Sequence, residues 1–388
     1  MREKRGARAY TAMILPVSGQ CNLKCEYCYR ANNKSYRLKL SLETYEKFAR
    51  EYIRLTEHPF FIWQGGEPTL IGLDFYKKAL EIQHSWNNEG KNIINAIQTN
   101  GTLIDKKWAS FFKLNKVIVG VSLDGPEEIH NYYRYSINGK GSFKRAIAGI
   151  KILQEWGVEP NILTVVHNMN VSLAEEIFEF LLSTNTYFWQ FIPCVDLDLQ
   201  TRKLKTYSIQ PEEYADFMCR IFDIWVNNDN PEIYIRTVDE ILRSYLGIEP
   251  QYCVFREECN ILTLDSNGDI YPCDFFTTEE WKLGNINNAS LEEILASPVL
   301  RRFCEQIERK KQVKCRNCEW YFVCKGGCPR YYDFYQKGED RNIFCSAFQK
   351  IFTHFFENFN KLKEDKHSRI GALIRYYEHN LSIKERKK

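Results

Sequence analysis

The sequence predicts an α/β fold: a partial (β/α)6 barrel of the TIM type, followed by a cysteine-rich module. Three observations carry this expectation. Short β-branched and aromatic runs alternate with amphipathic helical patterns six times between Thr11 and about Ile192. Each of those runs ends in a polar or glycine-rich stretch. The fourteen cysteines cluster toward the two ends of the chain instead of spreading along it.

The strand candidates are Thr11–Val17, Pro59–Trp63, Asn92–Gln98, Val117–Ser122, Asn161–Val166 and Tyr187–Ile192. Each is rich in β-branched or aromatic residues and short enough for a strand. Helical periodicity fills the gaps at Ser41–Thr56, Leu73–Trp86, Asp105–Leu114, Phe143–Trp156 and Leu173–Leu182. Ser41 reads as an N-cap. Strand followed by helix, repeated, implies a parallel sheet with right-handed crossovers. Periodicity alone admits an open doubly wound sheet as well as a partial barrel. The residues after the strands favour the barrel.

After the first strand comes Cys21-Asn-Leu-Lys-Cys25-Glu-Tyr-Cys28, and after the second Gln64-Gly-Gly-Glu-Pro68. The next four are followed by Thr99-Asn-Gly101, Ser122-Leu-Asp-Gly-Pro126, His167-Asn168 and Pro193-Cys-Val-Asp196. In parallel α/β folds the carboxyl ends of the strands are where ligands and catalytic groups gather. The aromatics Trp63, Tyr187, Phe188 and Trp189 lie on the strands themselves and read as core.

Residues 197–250 read as a helical bridge, with helices at Pro211–Trp225 and Val238–Leu246. Cys219 lies within the first of these and, with Cys194 and Cys304, reads as a buried thiol. Ile261–Tyr271 carries a hairpin signature, Asn267-Gly268 between alternating apolar residues. A short helix is expected at Ser290–Ala296, and a further helix at Ser346–Leu362 after Cys345. Four segments result: a barrel at 1–196, a bridge at 197–250, a cysteine-rich domain at 251–362 and a basic helical tail at 363–388.

Composition narrows the function classes. The net charge of +3 over 388 residues comes with both signs interspersed, unlike the clustered basic surface of a nucleic-acid-binding protein. The basic tail reads as a solvated helix. The apolar run after Arg2, Lys4 and Arg5 is too short for a secretory core and is broken by Pro16. No segment has the length of a membrane span. These features predict a cytoplasmic monomer with no membrane or nucleic-acid partner, in which cysteines serve metal binding rather than disulfides.

Cys21, Cys25 and Cys28 are spaced to hold three corners of one iron–sulfur cube. The fourth iron is then left open to bind and activate a small molecule. A structural zinc site would need a fourth Cys or His nearby. At the other end, Cys253, Cys259, Cys273, Cys315, Cys318, Cys324, Cys328 and Cys345 supply two sets of four. Spacing there admits zinc as well as two closed clusters.

On these motifs, together with QGGEPTL, QTNGTLID, SLDGP, YPCDFF, KLGNI and CKGGC, the chain resembles a radical S-adenosylmethionine (SAM) enzyme with a SPASM domain. It is similar in particular to the anaerobic sulfatase-maturating enzymes, from about Ala12 to about Phe359. The resemblance implies SAM and three [4Fe–4S] clusters as cofactors. Cys21, Cys25 and Cys28 would hold the SAM cluster. One auxiliary cluster would take Cys253, Cys259, Cys273 and Cys328, the other Cys315, Cys318, Cys324 and Cys345. Tyr27, Gly66, Ser122, Arg134 and Val195 match SAM-contacting positions, and Asp274 matches the catalytic base. Arg30 departs from the pattern, standing where relatives are expected to carry an aromatic residue.

The activity so implied is oxidation of a Cys or Ser side chain, in a peptide or unfolded sulfatase, to Cα-formylglycine. A 5′-deoxyadenosyl radical would abstract hydrogen at Cβ, and a redox protein would donate electrons. The alternatives are a peptide maturase forming a thioether, a carbon–carbon crosslink or an epimer, and a zinc-dependent binding module without catalysis.

Overall fold

Burial of apolar residues explains the first strand and helix. In β1 (Thr11–Leu15) four of five residues are buried. In α1 (Leu42–Leu55) Ser41 Oγ accepts the Thr44 N–H, the expected cap, and one face buries Tyr45, Phe48 and Tyr52. The Tyr52 hydroxyl reaches the sheet, donating to Tyr10 O at 2.6 Å and accepting from Ala12 N at 3.2 Å. The structure, a computed structural model, describes residues 10–30, 38–198, 201, 203–312, 315–332 and 342–385. The end of the expected tail, 386–388, lies outside them.

The chain continues through β2 (Phe60–Trp63), α2 (Leu73–Trp86), β3 (Ile94–Thr99), α3 (Lys106–Leu114), β4 (Ile118–Ser122), α4 (Glu127–Tyr133) and α5 (Phe143–Glu155). Then come β5 (Asn161–Val166), α6 (Ala174–Ser183), β6 (Phe188–Pro193), α7 (Pro211–Asn228), β7 (Tyr234–Ile235) and α8 (Arg236–Tyr245). The last part holds β8 (Ile261–Asp265), β9 (Asp269–Tyr271), β10 (Gly284–Asn285), α9 (Leu291–Leu295), α10 (Pro298–Gln312) and α11 (Tyr321–Cys324). It ends with α12 (Cys345–Glu364) and α13 (Arg369–Glu385). The alternation of strand and helix agrees with the α/β expectation.

The chain forms two compact units: 1–122 with 130–160 and 258–307, and 123–129 with 161–257 and 308–388. In the first, strand order is β10-β9-β8-β1-β2-β3-β4. The pairs β1–β2, β2–β3 and β3–β4 are parallel, as crossover helices require. One feature is additional to the sequence expectation. The hairpin β8–β9 is antiparallel within itself, but β8 also runs parallel along β1, from Thr11 opposite Ile261 to Leu15 opposite Asp265. An edge that would otherwise present unpaired backbone is thus covered by the hairpin, and residues just past 271 belong to the same unit as the first cysteine loop. The core here is aromatic: Trp63 lies 5.1 Å from Tyr45 and from Tyr76, ring centre to ring centre.

In the second unit β5, β6 and β7 run parallel. Phe222 of α7 stacks on Phe355 of α12 at 4.2 Å, and Phe344, Phe348 and Phe352 form a ladder along α12. Asp229, in a left-handed conformation, ends α7 and caps α13, accepting from Ser368 Oγ, Arg369 N and Ile370 N at 2.8–3.0 Å. Trp189 is buried, as expected of a core aromatic, whereas Phe188, the first residue of β6, is exposed. No helix among the described residues is long and apolar enough to cross a membrane.

Candidate active site

The loop of Cys21, Cys25 and Cys28 has its backbone fastened to the end of α4 and the segment just after it. Lys24 N donates to Tyr135 O at 2.7 Å and Glu26 N to Tyr133 O at 3.2 Å. This brings two expected SAM-contacting residues together. The Arg134 guanidinium lies 5.3 Å from the centre of the Tyr27 ring, whose edge-to-face partner is Tyr133.

Cys21 Sγ accepts from Leu23 N at 3.3 Å and faces Asn100 Nδ2 at 3.7 Å. Burial pushes its thiol up to about 11, with the Glu67 and Cys28 charges adding to the rise. Such a thiol stays protonated near neutral pH unless a metal replaces its proton. Amide donors aimed at sulfur, with Cys28 close by, suit an iron-bound thiolate. The residues present therefore fit a cluster.

The loops after β2 and β3 are tied to each other and to this one. Gly66 N donates to Ser18 O at 2.7 Å, and a Cβ on Gly66 would fall 1.8 Å from Gln20 O. Only glycine permits that approach of backbone to backbone. The Glu67 carboxylate is fully buried. Its Oε1 accepts from Thr69 N, Thr69 Oγ1 and Thr99 Oγ1, and its Oε2 from Asn100 N, at 2.6–3.1 Å. Glu67 is committed to holding the loops. Ser122 Oγ, ending β4, accepts from Gln98 Nε2 at 3.3 Å.

Asp274 stands in the same unit, with little exposure. Its Oδ2 accepts from Tyr29 Oη at 2.5 Å and from Gln64 Nε2 at 2.9 Å. Its Oδ1 lies 3.3 Å from Cys273 Sγ. The Tyr29 ring packs against Phe275 at 4.6 Å. Although 39 % of Tyr29 is exposed, burial of its hydroxyl end, reinforced by the Asp274 charge, pushes the phenol well above its ordinary value. Arg30 is almost fully buried and donates through Nη1 to Asp274 O at 3.3 Å and Thr277 Oγ1 at 3.0 Å.

The second unit gathers another set. Cys324 ends α11 and Cys345 opens α12, where the helix dipole favours a negative sulfur. Burial raises the Cys324 thiol to about 12, and the neighbouring Cys315, Cys345 and Cys318 add to the rise. These four are therefore close neighbours. Gln349 Nε2 lies 3.8 Å from Cys318 Sγ and Tyr332 Oη 3.8 Å from Cys315 Sγ. Among the described residues no three His, Cys, Asp or Glu side chains close on a single ion. A cubane, whose ligands stand on separate irons, does not require them to.

Of the remaining candidates, Cys259 and Cys273 fall in the first unit, and Cys253, Cys328 and Val195 in the second. Val195 is buried just beyond β6. His167 is buried, with Nε2 3.8 Å from Asp124 Oδ2 and Nδ1 facing Met169 N at 3.2 Å, a structural placement. Cys194 is buried, while Cys219 and Cys304 are partly exposed. Sequence reasoning did not find Tyr29, Gln64 or Asn100 as partners of the site. The available signals were adjacency to Cys28, the first place of the glycine motif, and the Thr-Asn-Gly turn after β3.

A family model described as the Radical SAM superfamily matches residues 15–181, and one described as an iron–sulfur cluster-binding domain, SPASM, matches residues 253–319. A cysteine-type anaerobic sulfatase-maturating enzyme of Clostridium novyi is 37% identical, over 92% of this chain and 96% of its own. A serine-type counterpart of Bacteroides thetaiotaomicron is 34% identical, over 92% of each chain. The solved structure of native anSMEcpe with bound AdoMet and Cp18Cys peptide superposes with a TM-score of 0.84 at 32% identity, covering 92% of this chain and 99% of that one. By this identity and coverage, the chain belongs to the anaerobic sulfatase-maturating enzymes, radical SAM enzymes with a SPASM iron–sulfur domain.

Proposed function

We propose that this enzyme oxidises a cysteine or serine side chain in a sulfatase, presented as a peptide or unfolded segment, to Cα-formylglycine. The observation that carries the reading is Asp274: a carboxylate directly after Cys273, held by Tyr29 and Gln64 in the unit that also contains the first cysteine loop. The names of the relatives support the same substrate class, in both its cysteine and serine forms.

SAM and [4Fe–4S] clusters are the cofactors of this family. When bound, they supply the radical that removes a hydrogen atom from the substrate Cβ and the acceptor for one further electron. Cys21, Cys25 and Cys28 would hold the cluster that binds SAM, with Tyr27, Gly66, Ser122, Arg134 and Val195 around the cofactor. Two closed clusters would be held by Cys253, Cys259, Cys273 and Cys328, and by Cys315, Cys318, Cys324 and Cys345. A redox protein would supply electrons to a soluble, monomeric enzyme, in a barrel of residues 1–196 and a cysteine-rich domain of 251–362.

The role of Asp274 follows from its two oxygens. Oδ2 already accepts two hydrogen bonds. Among the described residues the contact of Oδ1 is the Cys273 sulfur, which has no proton to donate once it ligates iron. Oδ1 is then the oxygen with lone pairs left for the substrate's thiol or hydroxyl proton, which a general base must meet within hydrogen-bond distance. Removing that proton lets the carbon radical lose its electron. A cysteine becomes a thioaldehyde, which water converts to the aldehyde and hydrogen sulfide; a serine becomes the aldehyde directly.

The test is incubation of reduced, iron-reconstituted enzyme with SAM and cysteine- or serine-containing sulfatase peptides. The expected product has the lower mass of an aldehyde and reacts with a hydrazine. Unchanged sulfatase peptide, with a crosslinked or epimerised product from another peptide, would overturn the reading.

A further inference from the structure

We infer that Tyr29 and Arg30 act as a clamp that positions Asp274, gripping its side chain and its backbone from two consecutive residues. This rests on the reading of Asp274 as the base. Tyr29 Oη holds the carboxylate at Oδ2. Arg30 Nη1 holds the carbonyl of the same residue and the Thr277 hydroxyl, and Nη2 faces Asp265 Oδ2 at 3.7 Å. The guanidinium therefore spans both ends of the stretch carrying Asp274: Asp265, which ends β8, and Thr277, just beyond the base.

The burial of Arg30 needs a reason. Only 1 % of its surface is exposed, and its Nε and Nη2 make no hydrogen bond among the described residues. A buried guanidinium with part of its donors unmet is costly, and an aromatic side chain is the residue that the family resemblance leads one to expect there. What the cation contributes is attachment. The residues after Cys28 become joined to the segment after the β8–β9 hairpin, with no hydrophobic contact able to supply the same directional hold.

Positioning matters at this residue because a carboxylate can rotate about its last torsion and turn its accepting oxygen away. The Tyr29 donor on Oδ2 opposes that rotation and keeps the other oxygen in one orientation. Arg30 fixes the carbonyl about which the residue would otherwise tilt. A small misplacement of a reacting group is enough to slow a reaction strongly. Tyr29 and Arg30 are positioning residues: they act through Asp274.

The experiment compares holoenzymes of wild type, Tyr29→Phe, Arg30→Gln and Arg30→Lys, each reconstituted with iron and sulfide. In one reaction, 5′-deoxyadenosine released and cysteine-type sulfatase peptide oxidised are both counted. Iron content, and affinity for the fluorescein-labelled peptide without reductant, are measured beside them. The expected result is about a tenfold rise in 5′-deoxyadenosine released per peptide oxidised for Tyr29→Phe and Arg30→Gln. Arg30→Lys should be intermediate, and iron content and peptide affinity should stay within about twofold of wild type. Wild-type coupling in Tyr29→Phe and Arg30→Gln overturns the clamp. So does loss of iron or peptide affinity in all three variants in proportion to lost product, which would mark a merely structural role. A wild-type enzyme that cleaves SAM yet leaves the peptide unchanged overturns the underlying function, and the clamp with it; that result appears in the wild-type arm alone.

Discussion

Glu67 Oε2 accepts the backbone N–H of Asn100 at 2.8 Å, joining the loop after β2 to the loop after β3. Burial raises this carboxyl above its ordinary value of 4.5, against the hydrogen bonds that lower it. A raised folded value means that the folded chain keeps the proton longer than the unfolded one. The contribution of Glu67 to stability is then full below about 4.5 and is lost as pH rises toward the folded value. Glu67→Gln cannot ionise, but it places an amide NH2 or loses an acceptor opposite these donors. Anaerobic urea melts should show the variant destabilised by about 1 kcal/mol near neutral pH, with a smaller decline in stability from about pH 5 upward than wild type.

Asp274→Asn removes the oxygen proposed to accept the substrate's proton while keeping the shape of the side chain. Peptide oxidation should fall by about a hundredfold, the scale of a lost general base, while SAM is still cleaved. Counting 5′-deoxyadenosine and aldehyde in one reaction checks this. Full turnover in the variant would remove Asp274 from the mechanism.

Cys324 has Cys315, Cys318 and Cys345 as neighbours, and its thiol is raised by burial and by their charges. Cys324→Ala should lower iron by about four atoms per chain, one cluster's worth, and should leave the signal of the SAM-binding cluster in place. Iron analysis with electron paramagnetic resonance of the reduced protein separates the two. Unchanged iron would contradict the assignment of Cys324.

Asp229 caps the start of α13. Desolvation opposes its ionisation, but hydrogen bonds from Ile370 N, Arg369 N and Ser368 Oγ outweigh it and hold the carboxyl below its ordinary value of 3.8. A lowered folded value gives stability that is present above 3.8 and lost as pH falls through the folded value. Asp229→Ala should cost about 1 kcal/mol near neutral pH, the worth of a helix cap, with turnover per folded enzyme unchanged. The melting curves of wild type and variant should converge as the solution is acidified.

Much of the fold was legible because its signals are local. The strand candidate Asn92–Gln98 is found as Ile94–Thr99, and the helix Ser41–Thr56 as Leu42–Leu55, since periodicity and caps act over a few residues. The hairpin at Ile261–Tyr271 was equally visible, but its pairing with β1 was not. That depends on which sheet edge lies open, a property of the assembled chain. The same limit explains the site. Asp274 was named through resemblance, whereas its bonds to Tyr29 and Gln64 join residues 245 and 210 positions away. Nothing in spacing announces them. Arg30 stood out as a departure from a pattern, and its burial against Asp265, Asp274 and Thr277 could come only from the structure.

The central claim is that this enzyme turns a Cβ–H bond of a cysteine or serine into an aldehyde with Asp274 as the base. The most direct measurement is mass spectrometry of a sulfatase peptide after incubation with SAM and the reduced, iron-loaded enzyme, wild type beside Asp274→Asn. The account predicts an aldehyde product that reacts with a hydrazine for wild type, and almost none for the variant despite continued SAM cleavage. Unmodified peptide from an enzyme that cleaves SAM, or equal aldehyde from both proteins, would contradict it.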